Sequence, residues 1–125
     1  LLAEDNDLNA EIAEAILERA GLKVERVEDG LQCISRITEM PAGTYDIILM
    51  DIQMPKMDGY KATQTIRNLS DQEKACIPII AMTANAFEED KRAAIAAGMN
   101  GHIAKPIQVD KLLSILAEMI RQQEN

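Results

Sequence analysis

The sequence predicts an α/β domain in which a parallel sheet carries helices on both faces. Three observations support this. Short apolar runs alternate with helical stretches five times along 125 residues, and such alternation builds a parallel sheet. The run Ile47–Met50 is continuously apolar, as suits a strand buried on both faces. Four of the runs end in chemically capable residues: Glu4-Asp5, Asp51, Thr83 and Lys105.

Leu1–Ala3 reads as a short first strand. Asn6 or Asp7 can cap the helix that follows, on which Leu8, Ile12 and Ile16 recur at fourfold spacing. Gly21 stops that helix. Leu22–Val27 alternates apolar and polar residues, as an edge strand with one wet face does. Asp29 can cap a second helix carrying Leu31, Cys33, Ile34 and Ile37, ended by Pro41 and Gly43. The central strand runs into Asp51, and a loop rich in breakers leads to a third helix. Asp58 caps it, and Ala62, Ile66 and Leu69 share one face.

Ser70–Ala75 reads as a polar connection. Ile77–Met82 is a fourth strand, with Pro78 near its start, where a missing donor does least harm. Asn85 and Glu88 have the spacing of a capping box, and an Ala-rich helix runs to Gly98. His102–Ala104 is a short fifth strand ending at Lys105-Pro106. The last helix carries the stripe Val109, Leu112, Leu113, Leu116 and Ile120. No linker interrupts the chain, so residues 1–125 read as one domain. Right-handed crossovers leave few topologies. The flavodoxin-like order 2-1-3-4-5 puts its switch point between the first and third strands. The expectation is a doubly wound five-stranded sheet with five helices.

The charge balance is 13 basic against 21 acidic residues, net −8. That argues against direct contact with nucleic acid or an anionic membrane. No stretch has the length of a membrane span, and no signal peptide is visible. Aromatics make up 2%, so Ile, Leu, Met and Ala must fill the core. Cys33 and Cys76 lack metal-ligand spacing and read as buried free thiols in a reducing compartment. Met50, Met54, Met57 and Met82 read as packing residues. There is no initiator Met and the first strand looks cut short, as in an excerpt from a longer protein.

If the strand order is right, Glu4, Asp5, Asp51, Thr83 and Lys105 surround one crevice. Clustered carboxylates raise one another's pKa unless a cation neutralises them. A hard divalent ion does so, and Mg²⁺ typically takes one or two carboxylates with waters and phosphate oxygens. A lysine ammonium pairs with carboxylate or phosphoryl oxygens, and a Thr hydroxyl can donate to the latter. These parts suit phosphoryl transfer to a carboxylate. Taken singly, Glu4-Asp5 would flank a helix start, Lys105 would be a surface charge, and Asp58 and Asp29 are helix caps.

The stretches AEDN (Ala3–Asn6), MDIQMPKMDG (Met50–Gly59), MTANA (Met82–Ala86) and GHIAKP (Gly101–Pro106) occur in order, each at a strand end. Together they resemble the receiver domain of two-component response regulators over essentially the whole chain. The resemblance implies that Asp51 is the phosphoacceptor, taking its phosphoryl group from a histidine of a kinase or phosphotransfer domain. Asp5 would bind Mg²⁺ (or Mn²⁺) directly, with Glu4 nearby through water, Asp51 itself, and the backbone carbonyl of Gln53 as a further ligand. Thr83 and Lys105 would hold phosphoryl oxygens, and Pro106 would follow a cis peptide. Phosphorylation would draw Thr83 inward and repack the face made by the Ala-rich helix, the fifth strand and the last helix. Such a domain promotes only its own phosphorylation and dephosphorylation. It would work in the cytoplasm, alone or as the cytoplasmic part of a membrane-anchored sensor kinase, and could form a weak homodimer.

Two departures stand out. The family that the chain resembles often has Tyr or Phe at the position of His102, which reads first as a partly exposed residue at a strand edge, the sharper alternative being a muted or pH-sensitive switch. Gln53 and Asn85 hold the positions implied to control water access, and both are uncharged amides. Rival chemistries fit less well. A dehalogenase-type phosphatase would want a second acid where Gln53 stands. A flavin module would want a phosphate loop where Glu4-Asp5-Asn6 repels phosphate. A docking-only domain has no reason to keep the full set. The run GMNGHIAKPI most resembles receivers attached to hybrid sensor histidine kinases, the alternative being a receiver from a DNA-binding regulator.

Overall fold

The computed structural model describes residues 1–54, 56–83, 88–105 and 107–124. Its sheet has five strands: β1 (Leu2–Ala3), β2 (Arg26–Val27), β3 (Ile48–Asp51), β4 (Ile79–Thr83) and β5 (Gly101–Ala104). They lie in the order β2-β1-β3-β4-β5, and every pairing is parallel. The expected sheet is therefore the observed one. Six helices connect the strands: α1 (Asp7–Arg19), α2 (Gly30–Glu39), α3 (Gly59–Arg67), α4 (Gln72–Ala75), α5 (Glu88–Ala97) and α6 (Val109–Glu124).

The sixth helix is a correction to the expected five. Ser70–Ala75 was expected to be only a polar connection, yet Asp71 caps one turn there by accepting from the amides of Glu73 and Lys74 at 3.0 and 3.4 Å. The expected edge strand from Leu22 is also shortened to Arg26–Val27, because an alternating pattern marks extended backbone whether or not it meets a partner. Asn6 caps α1, Asp29 caps α2 and Asp58 caps α3, each accepting from the amide three residues on. Gly98 closes α5 with φ +107°, a conformation glycine adopts without strain. Pro55, Asn85 and Pro106 lie outside the described residues, as do the side chains of Glu88 and Ile120.

Two apolar layers sandwich the sheet. One gathers Ala3, Val27, Cys33, Ile37, Ile48, Met50, Ala62, Ile66 and Ile79. The other gathers Leu2, Ala10, Ala13, Leu17, Leu49, Ile80, Met82, Ile103, Leu112 and Leu116. Alternate residues of β3 feed opposite layers, which is why the strand needs an unbroken apolar run. Burying each such Ile, Leu or Met side chain is worth roughly 1.5–3 kcal/mol.

The first helix turns an unexpected face to the sheet. Ala10, Ala13 and Leu17 are buried, while Leu8 and Ile12 are 64% and 47% exposed. Two alanines let the helix approach the sheet closely, and the larger apolar side chains are left outside. Cys33 is buried as expected, but Cys76 is exposed, because it follows α4 on the surface.

Candidate functional site

The sheet register brings the candidate residues to one level. Ala3 pairs with Met50, Asp51 with Met82, and Thr83 with Ala104, so Glu4, Asp51, Thr83 and Lys105 all stand at carboxyl ends of strands. The ladder continues one step past the strands. Glu4 N–H donates to Val27 O at 3.0 Å, Ile52 N–H to Met82 O at 3.1 Å, and Lys105 N–H to Thr83 O at 2.8 Å. The backbones under the site are thus fixed by the same bonds that hold the sheet.

A crevice of about 240 Å³ opens above them, lined by Glu4, Asp5, Asn6, Asn9, Asp51, Ile52, Gln53, Thr83 and Lys105. This crevice contains the whole acidic, hydroxyl and ammonium set singled out from the sequence. His102 stands apart. It lies half-buried in a separate groove shared with Lys91, Asp110, Lys111, Ser114, Ile115 and Glu118, between β5 and α6.

Glu4 and Asp51 are 1% and 4% exposed, whereas Asp5 is on the surface. One carboxylate oxygen from each of Glu4, Asp5 and Asp51 falls within a mutual 4.8 Å. Lys105 bridges the two buried acids: its Nζ lies 3.1 and 3.2 Å from the Glu4 carboxylate oxygens and 3.1 Å from Asp51 Oδ2. The Gln53 backbone N–H donates to Asp51 Oδ1 at 3.3 Å. One ammonium therefore serves two carboxylates of a cluster of three, and the site is short of positive charge.

That imbalance is visible in the ionisation of Asp51. Burial, then the hydrogen bond and charge of Glu4, push its carboxyl up to about 6, with Lys105 opposing. Burial works to lower the Lys105 pKa, but Asp51 and Glu4 outweigh it and hold the ammonium above the usual lysine range. Such a group of acids fits a divalent cation with oxygen ligands.

Close packing beneath Asp51 explains a nearby glycine. Gly59 N–H donates to Ile52 O at 2.8 Å, and a Cβ at this position would run into the Asp51 carbonyl oxygen and sit 3.0 Å from Ile52 Cα. The start of α3 is thereby drawn under the strand end.

Sequence reasoning passed over two arginines. Arg26, on the edge strand, donates from Nε to the Glu4 carbonyl at 3.0 Å and pairs through Nη1 with Asp7 Oδ1 at 2.9 Å. Arg67 sits at the opposite end of the sheet. It donates to the carbonyls of Gly98, Ala75 and Ile77 and to Asn100 Oδ1 at 2.7–2.8 Å. A lone Arg, whether at an alternating polar position of a strand or in the last turn of a helix, signals neither role.

Comparison with known proteins agrees with the geometry. The family model described as the response regulator receiver domain matches residues 1–117. The chain is 39% identical to the signal transduction histidine-protein kinase BarA of Escherichia coli, covering 93% of this chain and 12% of that protein. It is 37% identical to the peroxide stress-activated histidine kinase mak1 of Schizosaccharomyces pombe, covering 96% of this chain and 7% of that protein. The chain thus spans only a small part of these relatives' lengths. Among solved structures, the receiver domain of sensor histidine kinase PA1611 from Pseudomonas aeruginosa superposes with a TM-score of 0.85 at 40% identity. The match covers 95% of this chain and 93% of that one, and that structure has a magnesium ion coordinated in its active-site cleft.

Proposed function

Because this chain belongs to the response regulator receiver domain family, we propose that it accepts a phosphoryl group on Asp51 from a phosphohistidine. The observation that carries this reading is the pairing of a buried, strand-end Asp51 with Lys105 beside Glu4 and Asp5. A carboxylate oxygen of Asp51 attacks phosphorus, the P–N bond of the phosphohistidine breaks, and the imidazole leaves with its electron pair. The product is an acyl phosphate. Lys105 is already held by Asp51 and moves onto the arriving phosphoryl oxygens as a point charge. Thr83, at the rim of the crevice, donates its hydroxyl to them.

Asp5, Glu4, Asp51 and the Gln53 carbonyl would hold the cation, and the three clustered carboxylates fit a hard divalent ion. Mg²⁺, or Mn²⁺ in its place, supplies positive charge to the acids and the phosphoryl oxygens. Engagement of Thr83 then biases the face built from α5, β5 and α6, with His102 in its groove.

The relatives support one receiver domain within a hybrid histidine kinase as the parent arrangement, with a kinase or phosphotransfer histidine as partner. Of the exposed Leu8 and Ile12 on α1, Ile12 lines a small hollow shared with Glu4 and Lys105 beside the crevice. They suit an apolar seat for such a partner.

Intact-mass spectrometry after incubation with acetyl phosphate tests the reading, with and without Mg²⁺ and beside Asp51→Asn. The expected result is a Mg²⁺-dependent gain of one phosphoryl group that the substitution abolishes. No gain, confirmed with a histidine-phosphorylated donor, would overturn it.

A further inference from the structure

The loop from Glu4 to Asp7 carries two of the three clustered acids, and it has to hold them against their mutual repulsion. Its far end is tied by Asn6, whose side chain accepts from the Asn9 amide at 2.9 Å. Its near end is tied by the ladder bond from Glu4 N–H to Val27 O. At Val27, β2 ends and the chain turns away toward α2. Arg26 then carries the pairing one step further, its Nε donating to the Glu4 carbonyl at 3.0 Å. The same guanidinium reaches across the loop to Asp7 at 2.9 Å. Asp5 lies between these two attachment points.

This is a costly place for an arginine. It sets a cation beside the first turn of α1, where the helix dipole favours negative charge. It also leaves the Nη2 group buried with no hydrogen-bond partner among the described residues, and an unsatisfied buried donor is destabilising. The Arg26 side chain is only 21% exposed, against 90% for Asp7, so the guanidinium is packed over the loop rather than waving beside it. Its planar fork can bind a carbonyl and a carboxylate at once, which a lysine ammonium does less rigidly.

We infer that Arg26 is a positioning residue for the cation site, bracing the Glu4–Asp7 loop so that Asp5 and Glu4 face Asp51. The inference rests on the metal site proposed above. It differs in sign from the plain electrostatic role. If Arg26 were merely a nearby positive charge, removing it would strengthen Mg²⁺ binding by relieving repulsion. If it braces the loop, removing it weakens binding, because groups that orient metal ligands commonly matter about tenfold or more to affinity.

The test is calorimetric titration of Mg²⁺ into the wild-type chain, Arg26→Lys and Arg26→Ala, with Mn²⁺ binding followed by electron paramagnetic resonance as a second readout. Thermal melts in chelator run alongside. The expected result is that Arg26→Ala binds Mg²⁺ several-fold to about tenfold more weakly, with Arg26→Lys intermediate. Amide exchange at Asp5 and Asn6 should quicken in both variants without metal. Unchanged or tighter binding in Arg26→Ala would overturn the inference. If Arg26→Ala fails to fold, Arg26→Lys decides, since it keeps the charge and loses only the fork: weaker binding supports bracing, and wild-type affinity overturns it. Absence of Mg²⁺ binding by the wild-type chain would instead remove the metal site itself, and the bracing role with it.

Discussion

At each end of the sheet a long cation sits among oxygens, Arg67 at one and Lys105 at the other, and the two are solved oppositely. At the amino-terminal end, Arg67 uses four N–H groups on three backbone carbonyls and the Asn100 amide oxygen. That oxygen also accepts from the Ile79 amide at 2.9 Å. Every acceptor there is neutral, so nothing repels. At the carboxyl end, Lys105 answers two buried carboxylates that cluster with a third at the surface, and negative charge is left over. The first arrangement is closed and stabilises the fold. The second is open, and its unbalanced charge is what a cation and a phosphoryl group can exploit. Proteins commonly give up stability where a site must bind.

Arg67→Met should sharpen this contrast most. It strands three carbonyls, of Ala75 in α4, Ile77 just before β4 and Gly98 just after α5, that tie these elements to α3, and should cost about 3 kcal/mol or more in urea unfolding. Mg²⁺ affinity should be nearly unchanged in the folded fraction. A loss below about 1 kcal/mol would mean water satisfies those carbonyls equally well.

Asp51→Asn should do the reverse at the other end. Removing one of the repelling charges should stabilise the chelated protein at pH 7 by about 1–3 kcal/mol, while abolishing phosphorylation. Destabilisation would show that Lys105 needs Asp51 more than Asp51 resents Glu4.

The pH dependence follows from the same residue. Asp51 rises from 3.8 to about 6 on folding, so between those values the folded state holds more protons than the unfolded state. This group therefore stabilises the fold fully below about pH 4, and that contribution is lost as pH rises through about 6. In chelator, the stability difference between Asp51→Asn and wild type should widen across that window and level off above it. A difference that stays flat from pH 4 to 7 would break the assignment.

A smaller effect separates the thiols. Burial pushes Cys33 up to about 12, so iodoacetamide at pH 8 should label Cys76 in the native chain and Cys33 only after unfolding. Equal labelling of both would mean that α2 opens readily.

The sequence disclosed the site better than it disclosed the supports. Glu4, Asp51, Thr83 and Lys105 were legible because each closes an apolar run, and parallel strands bring such ends together by topology alone. The caps Asp29 and Asp58 were legible from local chemistry. The exposed side of α1 was not: Leu8, Ile12 and Ile16 have correct helical spacing, but so do Ala10, Ala13 and Leu17, and periodicity cannot say which stripe faces inward. Of the first set only Ile16 packs against the core. The one-turn helix at Gln72–Ala75 is too short to show a period. The roles of Arg26 and Arg67 depend on partners far away in the chain, as with Arg67 and Gly98, 31 residues apart, and no local pattern carries that.

The position of β3 has a further consequence, in time rather than energy. β3 is bonded to β1 on one side and β4 on the other, so releasing Asp51 from below means breaking two ladders at once. Backbone amides of Ile48–Asp51 should therefore exchange with solvent only when the whole domain opens, whereas those of the flanking loops exchange through small local excursions. The floor of the crevice thus acts as a slow clock beneath a fast rim, and any response to a phosphoryl group has to run through the rim.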